Sequence, residues 1–187
     1  MYLIITRAFP PELGGMQSLM WGLANEMSKN FMIKVFADYY ENHKEFDDKE
    51  NFSIERIGGI KFLRKIRKAQ LINEFLKENK VQGIIADHWK SLELIKTDKS
   101  KFCLIHGKEI NHPKGSSTNK RVINILSNVK KIIANSEYTK KLAIENGVNE
   151  KKIIVINPGV NPVKELDKKI LKKVESLLKT KTPRLIT

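Results

Sequence analysis

Residues 2–27, YLIITRAFPPELGGMQSLMWGLANEM, decide the fold class. The apolar run at 2–5 has the length of a strand, and the segment from Met16 has a helical pattern. The loop between them ends in Gly14 and Gly15. Glycine lets backbone N–H groups approach an anion without a Cβ in the way, and a helix N-terminus favours negative charge. The stretch predicts a strand–loop–helix unit that binds a phosphate, although a tight turn has the same pattern.

Strand-length apolar runs and helical patterns continue to alternate along the chain. Strands are predicted at 2–6, 33–37, 53–57, 83–87, 102–106, 131–135 and 153–156, and helices at 16–29, 62–79, 91–96, 119–128 and 137–146. Several strands are rich in Ile and Val without polar alternation, as in strands covered on both faces. The pattern predicts an α/β, Rossmann-like fold, with a mostly parallel sheet of about seven strands and helices on both faces.

Polar stretches, capping residues and glycines predict the loops, the helix ends and the domain limits. The stretches 42–51 and 114–118 are polar and predicted to be surface loops. Ser136 and Gly147 suit the N-cap and the left-handed stop of the helix at 137–146. A basic helix is predicted at 166–178, and residues 183–187 resemble the start of another strand. We therefore expect a domain over 1–163, followed at 164–187 by a basic helix and the beginning of a domain that is cut short.

The chain is strongly basic, with 35 Lys and Arg against 21 Asp and Glu and a formal net charge of +14. This balance favours polyanionic partners, namely nucleic acid, an anionic membrane face or phosphorylated ligands, although solvated helix faces give the same composition. No apolar run is long enough to cross a bilayer, and no signal-peptide pattern opens the chain. The single cysteine, Cys103, cannot form an internal disulfide. These features predict a cytoplasmic protein.

Polar residues and glycines follow several predicted strands, at the edge where open parallel sheets bind ligands. They are Gly14, Gly15, Gln17, Asp87, His88, His106, Gly107, Glu109, Asn135, Ser136, Asn157 and Gly159. An imidazole such as that of His106 can hydrogen-bond a sugar hydroxyl or accept a proton, and backbone groups that satisfy the ring are the alternative. Zinc-type Cys/His spacing, a nucleophile elbow, a Walker loop and the full dinucleotide fingerprint are absent from the sequence. Neither a metal nor a cofactor is expected.

Three segments together resemble the retaining glycosyltransferases of family 4, which have the GT-B fold. They are FPPELGGMQ at 9–17, HGKE at 106–109, and a third segment that runs from IIANSEYTK at 132–140 to IIVINPGVN at 153–161. The resemblance spans most of the chain but covers only the N-terminal, acceptor-side domain of such an enzyme, which is one half of a GT-B fold. It implies that the C-terminal nucleotide-sugar-binding domain is missing and that this chain alone is inactive.

The resemblance also implies roles for individual residues. Gly14 and Gly15 would bind the donor phosphates, and His106 would be the catalytic residue beside the transferred sugar. Weaker acceptor-side candidates are Gln17, Asp87, His88, Gly107 and Glu109, and weaker candidates for the interdomain cleft are Asn135, Ser136, Asn157 and Gly159. Gln17 and Asn161 stand where many relatives have an acidic residue, which weakens the transfer of a role to those two positions.

The activity implied is a hexosyl transfer from a nucleotide-sugar, as substrate, to a glycan or lipid-linked acceptor in polysaccharide biosynthesis. The family reaction is described as front-face, without a protein nucleophile. Relatives that act on lipid-linked acceptors use basic amphipathic helices to dock on anionic membranes, and the helix at 62–79 has that pattern. Packing against the core explains its apolar side equally well. Peripheral attachment to the inner face of the cell membrane is therefore an expectation of the resemblance.

Two other interpretations stay open. The chain could be one subunit of a split glycosyltransferase whose other half is a separate polypeptide. It could also be a non-catalytic, basic Rossmann-like protein that holds nucleic acid or another anion. Nucleic acid is the less expected partner, because aromatic residues are not interleaved with the basic runs.

Overall fold

The computed structural model describes residues 1–159 and 168–177. Its strands are β1 (Tyr2–Ile5), β2 (Ile33–Asp38), β3 (Ser53–Ile57), β4 (Gly83–Ala86), β5 (Ser100–Ile105), β6 (Lys131–Ala134) and β7 (Ile153–Val155). Its helices are α1 (Gly15–Ser28), α2 (Lys44–Asp47), α3 (Lys61–Glu78), α4 (Trp89–Leu92), α5 (Ser117–Ser127), α6 (Glu137–Glu145) and α7 (Lys168–Leu177), and a 3-10 turn (Glu150–Lys152) precedes β7.

These seven strands form one parallel sheet in the order β3-β2-β1-β4-β5-β6-β7. The chain begins in the middle of the sheet, moves outward to β3, and returns to β4 on the other side of β1. Leu3 is accordingly in register with Lys34 of β2 and with Ile84 of β4. Such a reversal leaves a crevice beyond the carboxyl ends of the two central strands.

Both faces of the sheet are covered by helices. Leu3 and Ile5 of β1 belong to the core cluster that includes Ile72 of α3, whereas Ile4 belongs to the opposite cluster with Met20 of α1. This alternation follows from the two-residue period of strand side chains. The predicted fold class, a mostly parallel sheet of about seven strands with helices on both faces, is confirmed.

The stretch 42–51, predicted to be a loop, contains helix α2, so that prediction was wrong for its central residues. Nδ1 of His43 lies 2.8 Å from Oδ2 of Asp47, across one helical turn. The ring of Phe46 packs edge-on to Phe9, with ring centroids 6.3 Å apart. A helix of four residues makes about one turn and is therefore too short to show an apolar period. Its stability comes from contacts with residues distant in sequence.

Helices α4 and α5, like strand β5, begin two residues earlier than predicted. The helix predicted at 91–96 is α4, which starts at Trp89 because Nδ1 of His88 accepts a hydrogen bond from the N–H of Lys90 at 2.9 Å. The loop predicted at 114–118 ends early, because the hydroxyl of Ser116 caps α5. By contrast, the prediction that Ser136 caps α6 is confirmed, and so is the left-handed stop at Gly147, which has φ +92°.

Helix α7 lies within the basic helix predicted at 166–178. The strand start predicted at 183–187 lies outside the described residues, as does Asn161, and the domain limit at 163 stays a prediction. None of the helices in the two described ranges combines the length and apolar character that a membrane span requires.

Candidate functional site

A cleft of about 510 Å³ opens at the carboxyl ends of β1, β4 and β5. The loop after β1 and the first turn of α1 form one side of it, and the segments after β4 and β5 form the rest. The lining residues are Arg7, Ala8, Met16, Gln17, Asp87, His88, Lys90, His106, Lys108, Glu109 and His112. Five of the predicted site residues are thus brought together, at the point where the order of the sheet reverses.

The glycine pair precedes α1 at the edge of this cleft. Met16 and Gln17 line the cleft, whereas Gly14 and Gly15 are not among its lining residues. Gly14 is extended, with φ 161°, and α1 has neither a side-chain cap nor an acidic residue in its first turn. A Cβ on Gly15 would meet no atom within 4 Å. Gly15 thus leaves open space at the first turn of the helix, whereas a Cβ on Gly14 would collide with the side chain of Gln17. The predicted phosphate site remains a prediction.

A buried ion pair holds the loop that contains Pro10. The guanidinium of Arg56, whose side chain is 3% exposed, lies 2.6 Å from Oδ1 of Asp47 and also donates to the carbonyl oxygen of Pro10. Nε of Arg56 donates to Oδ2 of Asp47 at 3.1 Å. Asp47 and Arg56 were not singled out from the sequence, since no local pattern connects them with the segment that contains Pro10.

Asp87 joins the loops that follow β1 and β4. Its residue is 2% exposed, and its Oδ2 accepts hydrogen bonds from the hydroxyl of Thr6 and the N–H of Arg7, each at 2.9 Å. Its Oδ1 accepts a hydrogen bond from the hydroxyl of Ser91 at 2.8 Å. Both carboxylate oxygens therefore shape the floor of the cleft, and these contacts are those of a positioning residue.

His106 lies immediately after β5, in a turn that Glu109 stabilises. Oε1 of Glu109 accepts hydrogen bonds from the N–H of His106 at 2.5 Å and from that of Gly107 at 3.4 Å. Gly107 has φ +114°, a conformation that favours glycine. Nε2 of His106 is buried and has no hydrogen-bond partner among the described residues. A buried imidazole nitrogen of this kind keeps its bonding capacity for a ligand.

The imidazole of His88 is buried and held by the backbone N–H of Lys90. Because Nδ1 accepts from the N–H of Lys90, the proton of the neutral ring lies on Nε2. Burial, reinforced by repulsion from Arg7, Lys90, His106 and His112, lowers the pKa of His88 from 6.5 to about 3. His88 is therefore neutral near pH 7 and can donate a hydrogen bond from Nε2.

The cleft presents positive charge. Arg7, Lys90 and Lys108 line it, whereas its two carboxylates, on Asp87 and Glu109, accept hydrogen bonds from backbone N–H groups. Lys108 lies in the HGKE segment that carries the resemblance but was given no role, and Arg7, Lys90 and His112 were missed from the sequence. Across the described ranges, no three His, Cys, Asp or Glu side chains are grouped to hold a metal ion. The site suits an anionic group such as a phosphate.

A second, mostly apolar cavity of about 170 Å³ lies on another side of His106. Asn135, Asn157 and Gly159, predicted to line an interdomain cleft, line this cavity together with His106. Ser136 does not line it, and its hydroxyl instead caps α6 by accepting from the N–H of Thr139 at 3.2 Å. The structure thus places three of these four predicted residues in a cavity that His106 also lines.

Solved structures with the same fold include nucleotide-binding proteins. Anabaena HepE in complex with UDP matches with a TM-score of 0.69 and 16% identity, over 95% of this chain and 49% of that one. The lipopolysaccharide outer core galactosyltransferase WaaB matches with a TM-score of 0.60 and 14% identity, over 87% of this chain and 46% of that one. The UDP-GlcNAc 2-epimerase from Methanocaldococcus jannaschii matches with a TM-score of 0.56 and 15% identity, over 83% of this chain and 45% of that one. These identities show the fold alone, and this chain spans about half the length of each protein.

The family assignment rests on the sequence match. No curated protein matches this chain. The model of Glycosyltransferase Family 4, however, matches residues 13–164, which is more than half of the chain and includes His106 and the strands from β2 to β7. The resemblance stated from the three sequence segments is therefore confirmed. The chain belongs to glycosyltransferase family 4.

Proposed function

We propose that this chain is the acceptor-side, N-terminal domain of a retaining hexosyltransferase that moves a sugar from a nucleotide-sugar to a lipid-linked or polysaccharide acceptor. The observation that carries the proposal is the basic cleft beside His106, whose Nε2 has no partner among the described residues. The structures of HepE with UDP and with UDP-glucose support a uridine nucleotide-sugar as the substrate.

The chemistry of sugar transfer fits the charges of the cleft. The leaving diphosphate gains negative charge in the transition state, and preorganised positive groups stabilise it. The first N–H groups of α1 and the side chains of Arg7, Lys90 and Lys108 are the groups available on this side. His106 would hydrogen-bond the transferred sugar or take the proton of the acceptor hydroxyl, which must be aligned with the anomeric carbon.

The carboxylates of the cleft support a reaction without a protein nucleophile. Among the described residues that line the cleft, only Asp87 and Glu109 bear carboxylates, and each accepts a hydrogen bond from a backbone N–H. Both oxygens of Asp87 and Oε1 of Glu109 already accept hydrogen bonds, so a role in shaping the site is the simpler proposal for each. In the proposed front-face reaction, the acceptor oxygen bonds to the anomeric carbon on the face that the diphosphate leaves.

A second domain completes the proposed enzyme. The chain spans about half the length of the similar proteins, and the donor-binding half is proposed to lie in a C-terminal domain or, in a split enzyme, in a separate polypeptide. The 187-residue chain alone is accordingly expected to show no measurable sugar transfer. Robust turnover by this chain would contradict that part of the proposal, and co-purification with a second transferase half would support the split form.

Helix α3 supports attachment to the cytoplasmic face of an anionic membrane. Four of its apolar residues, Leu71, Ile72, Phe75 and Leu76, pack in or against the core, as the core-packing interpretation expects. In its first turn, however, Phe62 and Leu63 are 72% and 60% exposed beside Lys61 and Arg64. Exposed apolar side chains flanked by basic ones are typical of a surface that enters the interface of an anionic bilayer.

Vesicle binding tests the membrane part of the proposal. We expect salt-sensitive binding to anionic vesicles that exceeds binding to neutral ones. The double variant Phe62→Ser/Leu63→Ser should weaken it, whereas Tyr138→Ser, which removes an exposed ring from α6, should not. Equal partition of the wild-type chain to neutral and anionic vesicles would refute membrane attachment.

Titration of the labelled chain with UDP-glucose tests the proposed donor site. We expect weak binding that shifts the amide resonances of Met16, Gln17 and His106 in ¹⁵N spectra. Lys108→Gln should weaken the binding about threefold, because one of the cations that line the cleft is lost. Lys120→Gln, on an exposed residue outside the lining, serves as the control. No shift in the cleft at saturating UDP-glucose, or shifts confined to another face, would overturn the assignment.

A further inference from the structure

A cavity of about 260 Å³ between α3 and α4, here called the α3 cavity, has a strongly basic lining. Among the described residues, Asp38 is the only acidic one in its lining, against six basic ones: Arg7, Lys61, Arg64, Lys65, Lys68 and Lys90. Arg7 and Lys90 also line the cleft beside His106, so the two spaces share one wall. The other four basic residues face the α3 cavity and do not line the cleft.

Internal contacts neutralise only part of this charge. Nζ of Lys68 donates to Oδ1 of Asp38 and, at 2.7 Å, to the carbonyl oxygen of Thr6. Nε of Arg64 lies 3.2 Å from Oδ2 of the same carboxylate. Two cations thus share Asp38, whose two oxygens are both occupied. This group therefore keeps a net positive charge at the base of the cavity.

The rim of the cavity carries a further excess of positive charge. Lys65 pairs with Glu93, but Glu93 also holds Arg121 at 2.7 Å. Within residues 1–159 and 168–177, Arg7, Lys61 and Lys90 make no ion pair with a carboxylate.

Positive charge is also in excess around Lys90. Burial, followed by repulsion from Arg7, Arg121 and Lys65, lowers the pKa of Lys90 in spite of the attraction of Glu93. A bound anion would relieve this repulsion among the cations of the rim.

The walls of the cavity strengthen its attraction for an anion. Five of the lining side chains are apolar: Ile5, Ala69, Ile72, Leu94 and Ile95. Apolar walls lower the local dielectric constant and focus the field of the surrounding cations. The volume is below the roughly 300 Å³ at which ordinary small-molecule pockets begin, so it suits one group of a ligand.

We propose that the α3 cavity binds a phosphate or diphosphate group of the acceptor, with Lys61, Lys65 and Lys90 as its ligands. This inference rests on the proposed function, in which the acceptor meets the donor sugar at His106. An acceptor anchored here needs to pass only the wall formed by Arg7 and Lys90 to reach the cleft. The group can belong to a lipid diphosphate or to a soluble phosphorylated acceptor.

The exposed apolar residues beside the cavity bear on a lipid source. Ile60, Phe62 and Leu63 flank Lys61 at the start of α3, and all three are exposed. A hydrocarbon chain attached to a diphosphate in the cavity would leave along these side chains. An apolar tail should then add to the affinity, because its contact with them removes apolar surface from water.

Titrations of the full chain with three probes test the inference by ¹⁵N spectra. Inorganic pyrophosphate and geranyl diphosphate should both shift the amides of Lys61, Lys65 and Ser91. UDP-glucose should instead shift Met16 and His106. Geranyl diphosphate that binds about fivefold more tightly than pyrophosphate would support a lipid acceptor. Equal affinities would support the site with a soluble phosphorylated acceptor.

Paired variants separate the cavity from the cleft. Lys61→Gln/Lys65→Gln should weaken pyrophosphate binding at least about fivefold and leave UDP-glucose binding within about twofold, since neither residue lines the cleft. Lys77→Gln, on the same helix but outside the lining, should change neither. Equal melting temperatures of the variants and the wild type would show that the fold is intact.

The outcomes distinguish this inference from the proposed function. Pyrophosphate shifts confined to the cleft, or wild-type affinity in the double variant, would overturn the α3 cavity as a phosphate site while UDP-glucose binding upholds the donor site. Cavity binding without any UDP-glucose shift in the cleft would overturn the assignment to an acceptor, together with the proposed function.

Discussion

The N–H of His106 donates a hydrogen bond to Oε1 of Glu109 at 2.5 Å, so the side chain three residues later fixes the turn that carries the imidazole. The same oxygen lies 3.4 Å from the nitrogen of Gly107. Glu109 was predicted as an acceptor-side residue, and nothing in the structure tests that role. Its observed contacts make it a positioning residue for His106.

Two replacements of Glu109 distinguish the contribution of its hydrogen bond to stability from that of its charge. Glu109→Ala leaves the N–H of His106 without its acceptor and should lower the free energy of unfolding by about 2 kcal/mol. Glu109→Gln supplies an amide oxygen as the acceptor in place of the carboxylate oxygen. It should lower the free energy of unfolding by less than about 1 kcal/mol. Urea unfolding measures both, and the amide resonance of His106 should move in the alanine variant more than in the glutamine variant. Equal stability of the two variants would contradict this role.

The fold was predictable because its strands are covered on both faces. Runs such as Gly83–Ala86 and Lys131–Ala134 need apolar residues at successive positions, and this makes them visible without knowledge of the partner strands. Each ends one residue before its predicted end, although the next N–H, of Asp87 or Asn135, still bonds to the neighbouring strand. Helix α2 had no such signal, since contacts of His43 and Phe46 hold it.

The site was only partly predictable. Asp87 and His106 follow strands directly and Glu109 lies in the loop after β5, so the topology alone brings them to one edge. Arg7, Lys90 and Lys108 are basic residues in a basic chain, and composition does not distinguish them from solvated ones. The ion pair of Arg56 and Asp47 depends on packing between separate elements, which one sequence without relatives does not reveal.

The ion pair beneath Pro10 gives a second prediction. Asp47→Ala would leave the guanidinium of Arg56 buried without its carboxylate, and loss of one partner of such a pair costs roughly 3 kcal/mol. We therefore expect a large fall in the free energy of unfolding, measured with urea. The loop that leads to Gly14 should lose protection against proteolysis, because Arg56 also binds the carbonyl oxygen of Pro10.

A matched control lies on the same short helix. Glu45 forms an exposed pair with Lys49 at 2.8 Å, and Glu45→Gln should leave the stability close to that of the wild type, because an exposed ion pair contributes little. If Asp47→Ala is as mild as Glu45→Gln, the buried pair does not hold the loop.

The pKa of His88 predicts a particular pH dependence of stability. The folded state protonates His88 only near pH 3, whereas the unfolded chain does so near 6.5. Between these values the unfolded state binds one more proton, so stability falls as the pH falls, by up to about 1.4 kcal/mol per pH unit.

The variant His88→Asn isolates this dependence. Asparagine can still accept the hydrogen bond from Lys90 as an N-cap, but it does not titrate. Urea unfolding from about pH 7 to about pH 5 should show a loss of stability about 2 kcal/mol larger in the wild type than in the variant. Parallel curves would mean that His88 is protonated in the folded protein as readily as in the unfolded one.

Replacement by alanine should change the stability of the protein in opposite directions at two glycines. Gly147 ends α6 with φ +92°, and a Cβ there would lie 3.2 Å from Cδ1 of Ile123, so Gly147→Ala should lower stability by roughly 1–2 kcal/mol. Gly22 lies within α1, and a Cβ there meets no atom within 4 Å, so Gly22→Ala should raise stability by about 1 kcal/mol. Thermal unfolding of the two single variants measures both changes. A stabilising Gly147→Ala would exclude the left-handed end of α6, and a destabilising Gly22→Ala would place an unrecognised contact on that face of α1.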